Sequence, residues 1–493
     1  MSLSPVYTTA ELRAIEGEAL ASGAPLMQRA GLAAADRAAD LASDRSGGVL
    51  VVAGPGNNGG DAFELAAHLK RRFFRVDVVF AGDAARLSAD ATAALARWRE
   101  AGGTETAEFP QSTGRYGLVV DGLFGIGLAR PLEGRFAALI ERMNGSGLPV
   151  LALDLPSGLN ADTGAVMGCA VRAAHTLSFI ALKPGLLTLD GPDCCGTLSV
   201  DALGLETETL RTPAGRLLSP EIVRLALAPR PRNFHKGNAG NVAVLGGASG
   251  MLGAALLAGR AALRCGAGRV YLGLLDPDAI PVDTLQPELM LRRARDVPLE
   301  DAVIAAGPGM GRSDEALALL ERVLRSDCAL VLDADALNLL ASSERMAALA
   351  KARSAATVLT PHPAEAGRLL GIATSEVQRD RLAAAQALAA RYRAWVALKG
   401  NGTLIADPDT RWWINPNGHP GMASAGMGDA LTGMVAALLA QGAEPHAALC
   451  ASVWLHGAAG DAAAACNGGP LGTTASDVIE HARLLLNRPS EPR

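Results

Sequence analysis

Aromatic side chains make up only 4% of the chain, which leaves few platforms on which nucleic-acid bases could stack. Basic charge is also scarce. The 45 Lys and Arg are outnumbered by 50 Asp and Glu, giving a net charge of −5, so the electrostatic footprint of a nucleic-acid binder is missing. The seven cysteines (Cys169, Cys194, Cys195, Cys265, Cys328, Cys450 and Cys466) are odd in number and form no CxxC pair. That pattern speaks against a zinc site or a disulfide scaffold and for free thiols in a reducing compartment. No apolar run approaches the ~20 residues needed to span a bilayer. The first residues, MSLSPVYTTAELRAIEGEAL, carry acids and lack the apolar core of a secretory signal. No nucleic acid and no membrane are expected as partners, and the cytoplasm is the expected location.

Hydrophobic residues (49%) and glycine (56 residues) are plentiful. A length of 493 residues suggests two or three domains at roughly 100–200 residues each. In the first half, Val49–Ala53, Arg75–Phe80, Leu118–Asp121 and Val150–Asp154 are short apolar runs separated by helical patterns, the signature of a parallel sheet covered on both faces. The stretch 209–240 holds four prolines and loses the alternation, so it reads as a linker with one short helix. A second series follows: Val242–Leu245, Val270–Leu274, Val303–Ala306, Ala329–Leu332, Thr357–Leu359 and Trp395–Leu398. Both halves are α/β, with one domain expected over 1–213 and a second over 214–493.

The first half concentrates polar groups at strand ends, where open α/β sheets bind ligands. After Val49–Ala53 comes GPGNNGGD. Gly54, Gly56, Gly59 and Gly60 permit sharp turning and close approach, Asn57 and Asn58 offer amide groups, and Asp61 stands near a helix start where it could cap. A capped turn is the plainer explanation, but two Asn and four Gly in seven residues exceed what a turn needs. A second strand ends in Asp121 ahead of GLFGIGLARP, and a third in Asp154 ahead of Pro156-Ser157-Gly158. Lys183 follows an apolar strand and precedes Pro184-Gly185. It is either a surface lysine or an acid/base partner for a carboxylate.

These motifs, in this order from ELRAIEGEAL to about Asp201, resemble the NAD(P)H-hydrate epimerase domain. The resemblance implies a Rossmann-like α/β/α sandwich. It assigns Asn57, Asn58, Gly59, Gly60 and Asp61 to the hydrated dinucleotide, together with Gly125, Ile126, Gly127, Leu128, Ala129, Arg130, Pro131 and Asp154. It implies a potassium ion on Asn58, Asp121 and Ser157, a donor set that suits a hard cation, and makes Asp154 and Lys183 the catalytic candidates. Glu64 stands where an apolar residue is expected, and a solvated side chain is the expectation for it.

The second half repeats the strand–glycine-loop logic. HKGNAGNVAVLGGASGMLGAA places Gly246, Gly247, Gly250 and Gly253 between a strand and a helix, and AAGPGMGRSDEAL places Gly307, Gly309 and Gly311 before an N-cap at Ser313 or Asp314. TVLTPHPAEAG holds His362 between two prolines, which stiffen the loop. Lys399 ends a strand before Gly400, Asn401, Gly402 and Thr403. In GMASAGMGDALTG, Gly426 and Gly428 would aim amides at an anion where a helix begins. Asp429 would repel a phosphate, so it is either an N-cap or a general base aimed at a hydroxyl beside one.

From about Leu218 to Leu486 these motifs resemble ribokinase-like enzymes, and among them the ADP-dependent NAD(P)H-hydrate dehydratases. The resemblance implies a ribokinase-like α/β/α domain and puts Ala254, Gly311, His362 and Asp429 on the hydrated nicotinamide substrate. It puts Lys399, Gly400, Asn401, Gly402, Thr403 and Gly428 on the nucleotide, with Asp429 as the catalytic carboxylate. Met427 stands where the family usually has Ser or Thr, so a hydroxyl donor is missing while the backbone amide remains. Asp333, Asp335 and Asn338 fit the family without a role. The resemblance further implies NADHX and NADPHX with ADP as small-molecule partners and Mg2+ beside the nucleotide; a homo-oligomer is expected as well. A small-molecule kinase carrying a non-catalytic dinucleotide-binding module is the alternative.

Overall fold

The structure is a computed structural model that describes residues 3–42 and 47–487. It divides into two compact units, one of Pro5–Gly215 and one formed by residues 3–4 together with those from Arg216 onward.

The first unit is built on seven parallel strands: β1 (Gly48–Ala53), β2 (Val76–Phe80), β3 (Glu105–Thr106), β4 (Tyr116–Gly122), β5 (Val150–Leu153), β6 (His175–Phe179) and β7 (Thr197–Asp201). They lie in the order β3-β2-β1-β4-β5-β6-β7. Successive strand residues point to opposite faces. Val49, Val51, Leu118, Val120, Leu151 and Leu153 accordingly join a core with the helices Thr9–Ala21, Leu26–Ala42, Asn57–Arg71 and Ala89–Glu100. Leu50, Val52, Val119, Val150 and Ala152 join a second core with Gly134–Asn144 on the other face. Burial on both faces explains why these strands read as continuous apolar runs. The strand order reverses between β1 and β4, and the chain leaving their carboxyl ends opens a crevice there.

Glu64 is a correction. It is 1% exposed, not solvated. Its carboxylate accepts Arg97 Nε at 2.6 Å and a second Arg97 nitrogen. A Cβ at Gly31 would lie 2.0 Å from Glu64 Cβ, so only glycine lets the two helices close over this pair. The glycines of the NNGGD loop also act differently from the turn expected of them. Helix Asn57–Arg71 starts at Asn57 from Gly56, which puts Asp61 in its second turn and away from the cap. None of Gly54, Gly56, Gly59 and Gly60 has positive φ. A Cβ on Gly59 would instead lie 2.0 Å from the Gly54 carbonyl oxygen, and one on Gly54 would lie 1.8 Å from that of Leu123. The glycines let the helix press against the sheet.

In the second unit, β8 (Asn241–Gly246), β9 (Arg269–Leu274), β10 (Met290–Arg293), β11 (Ala302–Ala306), β12 (Leu330–Leu332), β13 (Thr357–Leu359) and β14 (Trp395–Leu398) pair in parallel. The hairpin strands β15 (Leu404–Ala406) and β16 (Trp412–Ile414) add on antiparallel. They lie side by side as β16-β15-β14-β13-β12-β11-β8-β9-β10. β10, β15 and β16 carry no signal in the apolar-run reading. One face packs on the helices Leu252–Arg264, Met427–Ala440, Pro445–Cys466 and Ala475–Leu486. Met427 belongs to that core at 6% exposure, so its side chain turns away from the glycine loop. No helix among the described residues is long and apolar enough to cross a membrane, and all seven cysteines are free.

Candidate active sites

In the first unit the crevice between β1 and β4 deepens into a cavity of about 450 Å³. Asn57, Asn58, Asp61, Gly125, Ile126, Gly127, Leu128 and Asp154 line it, as do Arg13, Glu16, Phe179 and Ile180. Gly59 and Gly60 are absent from the lining and buried in helix packing, whereas Ala129, Arg130 and Pro131 are exposed further along the loop. Glu16 escaped the sequence reading because it sits in an ordinary amphipathic helix, Thr9–Ala21, with no loop signature.

Asp154 follows β5 with φ of +67°, a conformation that costs about 1–3 kcal/mol outside glycine and persists where surrounding contacts enforce it. The contacts are visible. Its N–H donates to Leu177 O at 2.8 Å, and Lys183 Nζ donates to its Oδ1 at 2.5 Å. Lys183 is 1% exposed and stands behind Asp154, its ammonium also bonded to Ser178 Oγ (2.8 Å) and the carbonyls of Phe179 (2.9 Å) and Ala181 (3.3 Å). With every proton engaged, the ammonium anchors the carboxylate. Burial, followed by the charges of Asp154, Glu16 and Glu64, pushes the Asp61 carboxyl well above its ordinary value.

Asp121 is fully buried near the end of β4. Its oxygens accept Ser157 N–H (2.8 Å), Ser157 Oγ–H (2.7 Å) and Leu123 N–H (3.1 Å). Burial lifts its carboxyl to about 6, against the Ser157 and Leu123 hydrogen bonds that lower it. Asn58 donates through Nδ2 to Leu153 O at 3.2 Å, while its buried Oδ1 has no hydrogen-bond partner. An orphaned buried oxygen loses its full solvation with no return.

In the second unit, helix Met427–Ala440 starts from Gly426 at φ +88°, so Asp429 is its third residue and not its cap. Lys399 at the end of β14 reaches across it. Its Nζ donates to Asp333 Oδ1 at 2.6 Å, and Thr432 Oγ1 donates to the other oxygen at 2.9 Å. A Cβ at Gly428 would lie 3.2 Å from that Nζ and 3.3 Å from Asp333 Oδ2, so glycine leaves the ion pair room at the helix start. Burial alone would raise Asp333, but Lys399 and the hydrogen bonds from Lys399, Thr432 and Thr360 hold its carboxyl below the ordinary value. Asp429 is the opposite case. Burial and then the Asp333 charge lift it to about 7, with Lys399 pulling the other way.

The surrounding loops are held by partners distant in sequence. Asp335 Oδ2 accepts Gly311 N–H at 2.9 Å, and Asn338 Oδ1 accepts Arg368 at 2.9 Å, which gives both residues positioning roles. His362 caps helix Pro363–Leu370, and its N–H donates to Glu365 at 2.8 Å. Burial lifts Glu365 to about 7 and, with Lys399, lowers His362. Arg381, 2% exposed, donates to the carbonyls of Leu398 (3.3 Å), Lys399 (3.4 Å) and Gly402 (3.4 Å), splinting the loop from Lys399 to Thr403. Gly400 at φ +143° makes way for it, since a Cβ there would meet the guanidinium at 2.3 Å. Ser313 is the N-cap of helix Asp314–Leu324. Ala254 lies against the Gly307–Gly311 loop, 3.2 Å from where a Gly309 Cβ would sit.

Residues 242–483 match the family model described as NAD(P)H-hydrate dehydratase, and residues 23–185 match the YjeF-related protein N-terminus. The chain is 41% identical to a bifunctional NAD(P)H-hydrate repair enzyme Nnr of Coxiella burnetii, over 98% of this chain and 100% of that protein. It is 38% identical to the enzyme of the same description from Escherichia coli, over 89% and 85% of the two chains. Among solved structures it resembles a ribokinase-like superfamily protein from Enterococcus faecalis, at TM-score 0.51 and 26% identity, over 57% of this chain and 98% of that one.

Proposed function

Since the chain belongs to the family of bifunctional NAD(P)H-hydrate repair enzymes, we propose that it restores hydrated nicotinamide cofactors to use through two successive activities. The N-terminal unit epimerises (R)- and (S)-NAD(P)HX. The C-terminal unit dehydrates the S epimer with ADP, yielding NAD(P)H, AMP and phosphate. The observation that carries this reading is full-length similarity at 41% identity, which spans both the Asp154–Lys183 cavity and the Lys399–Asp333–Asp429 cluster.

In the dehydratase reaction, Asp429 takes the proton of the ring hydroxyl as that oxygen receives the terminal phosphoryl group of ADP and AMP departs. Loss of phosphate with the neighbouring ring proton then restores the double bond. A carboxylate at about 7 is matched to this work, since a general base is most effective when its pKa is near the operating pH. Lys399, held by Asp333, supplies positive charge at the helix start where phosphate is favoured. Mg2+ would accompany the nucleotide, carried by phosphate oxygens. Asp333 is already committed to Lys399 and Thr432, which supports a phosphate-borne ion over a protein cage.

In the epimerase, Asp154 is the reacting carboxylate and Lys183 its charge partner. Potassium would be held by Asn58, Asp121 and Ser157. The buried, unpartnered Asn58 Oδ1 supports that fit, because a hard cation is the partner this oxygen lacks. When bound, the ion would supply positive charge under the loops that hold the dinucleotide. A cytoplasmic homo-oligomer working on these substrates completes the reading, and light scattering tests the assembly.

The test is absorbance at the dihydronicotinamide band with mixed R and S NADHX plus ADP. Complete recovery of NADH is expected. Recovery that stalls once the S epimer is consumed would remove the epimerase assignment. Recovery with ATP but not ADP would overturn the nucleotide choice. A lasting phospho-ester without NADH would replace dehydration with kinase chemistry.

A further inference from the structure

Resting on the epimerase reading above, we propose that Glu16 is a second proton-transfer group of the epimerase cavity, working with Asp154 across the substrate ring. The cavity receives carboxyls from three separate elements: Glu16 from helix Thr9–Ala21, Asp61 from helix Asn57–Arg71, and Asp154 from the end of β5. Asp154 is pinned by the Lys183 ammonium. No hydrogen bond or ion pair fixes the Glu16 carboxyl among the described residues, so it remains available to a ligand. The charged and titratable groups facing it are Asp154, Lys183 and Asp61 from other elements and, on its own helix, Arg13. Burial and the Asp154 charge raise the Glu16 carboxyl, with Lys183 and Arg13 opposing them. That direction favours the protonated form needed in an acid.

The chemistry calls for two such groups. The reacting carbon bears a hydroxyl and is bonded to the ring nitrogen. Inversion proceeds when a proton passes from Glu16 to the hydroxyl oxygen and the carbon–oxygen bond breaks. The nitrogen lone pair then closes a carbon–nitrogen double bond, and water leaves. A water adds to the other face and gives its proton to Asp154. Proton return from Asp154 to Glu16 through cavity water resets the site. One water is lost and one gained, with no change in oxidation state. A single carboxyl on one face would serve only half of this sequence. The pinned Asp154 and the free Glu16, on different elements, meet both halves, and the same two groups exchange roles in the reverse direction.

The experiment follows conversion of purified R epimer to S by chromatography, with the full chain and no ADP, in ordinary and 18O-labelled water. Glu16→Gln is expected to lower kcat about 100-fold or more while KM stays near wild type. Wild type is expected to gain one labelled oxygen per inversion, above uncatalysed exchange. Glu16→Asp, which keeps the acid, is expected to retain part of kcat, and it serves in place of Glu16→Gln if that variant does not fold. An unchanged kcat in both variants, a rise confined to KM, or inversion without label overturns the proposal. Wild type that does not interconvert the epimers would instead overturn the epimerase reading itself, and inversion lost in Asp154→Asn but intact in Glu16→Gln would leave that reading standing without Glu16.

Discussion

Replacing Asp333 by Asn is expected to weaken the C-terminal unit and, at the same time, extend its dehydratase activity toward acid. Asp333 is 1% exposed and is the counter-ion of Lys399 at 2.6 Å. Breaking a buried ion pair from one side costs about 3–5 kcal/mol. Here the amide still accepts from Thr432 and the Lys399 side chain keeps 21% exposure, so a loss of about 2–3 kcal/mol is expected. That corresponds to a fall of roughly 5–10 °C in Tm for a domain of this size. The second effect has the opposite sense. The Asp333 charge is the second cause, after burial, of Asp429 standing at about 7, and Lys399 already pulls it down. Without Asp333 the repulsion disappears and the Lys399 charge is no longer neutralised, so Asp429 ionises at lower pH, by about one unit. The acid limb of kcat/KM, which reports the free enzyme, should move down by that amount. Calorimetry and initial rates across pH 5–9 check both. An acid limb that stays in place or moves up would refute the electrostatic account of Asp429, whatever happens to stability.

Asp429→Asn should abolish dehydration yet stabilise the fold at pH 8. The native pKa of about 7 lies above the ordinary 3.8, so the folded state holds a proton that the unfolded state has lost. Wild-type stability therefore falls as pH rises between about 4 and 7, and the advantage of Asn should vanish near pH 4 in urea titrations. Arg97→Ala should cost about 3 kcal/mol by stranding Glu64, whereas the double replacement Glu64→Leu with Arg97→Met should recover most of it in urea unfolding. Asn58→Leu removes the orphaned oxygen, and it should abolish any rate gain from potassium over sodium in the epimerase assay. A potassium effect that persists in that variant would place the ion elsewhere.

Much of this was legible locally. Apolar runs such as VLVVA and LVLD mark strands buried on both faces, because a parallel sheet under two helical layers needs side chains of one kind throughout. Strand ends followed by glycine and polar residues gave Asp121, Asp154 and the NNGGD loop, and the GMGD helix start gave Asp429. Strand β10 (MLRR) is half basic, and no helix separates β14, β15 and β16, so all three additions fall outside the alternation of apolar run and helix.

The kind of sheet, the order of the strand-end loops and the family can thus be read directly along the chain. Each of these is written within a few consecutive residues. Partnership comes from folding. Lys183 and Asp154 meet across 29 residues, Arg97 and Glu64 across 33, Lys399 and Asp333 across 66, and Thr432 and Asp333 across 99. Glu16 joins the cavity from a helix whose own pattern only says that one face is buried. A side chain's charge state and task depend on what folding brings within a few ångströms of it, and one-dimensional spacing carries no record of that distance.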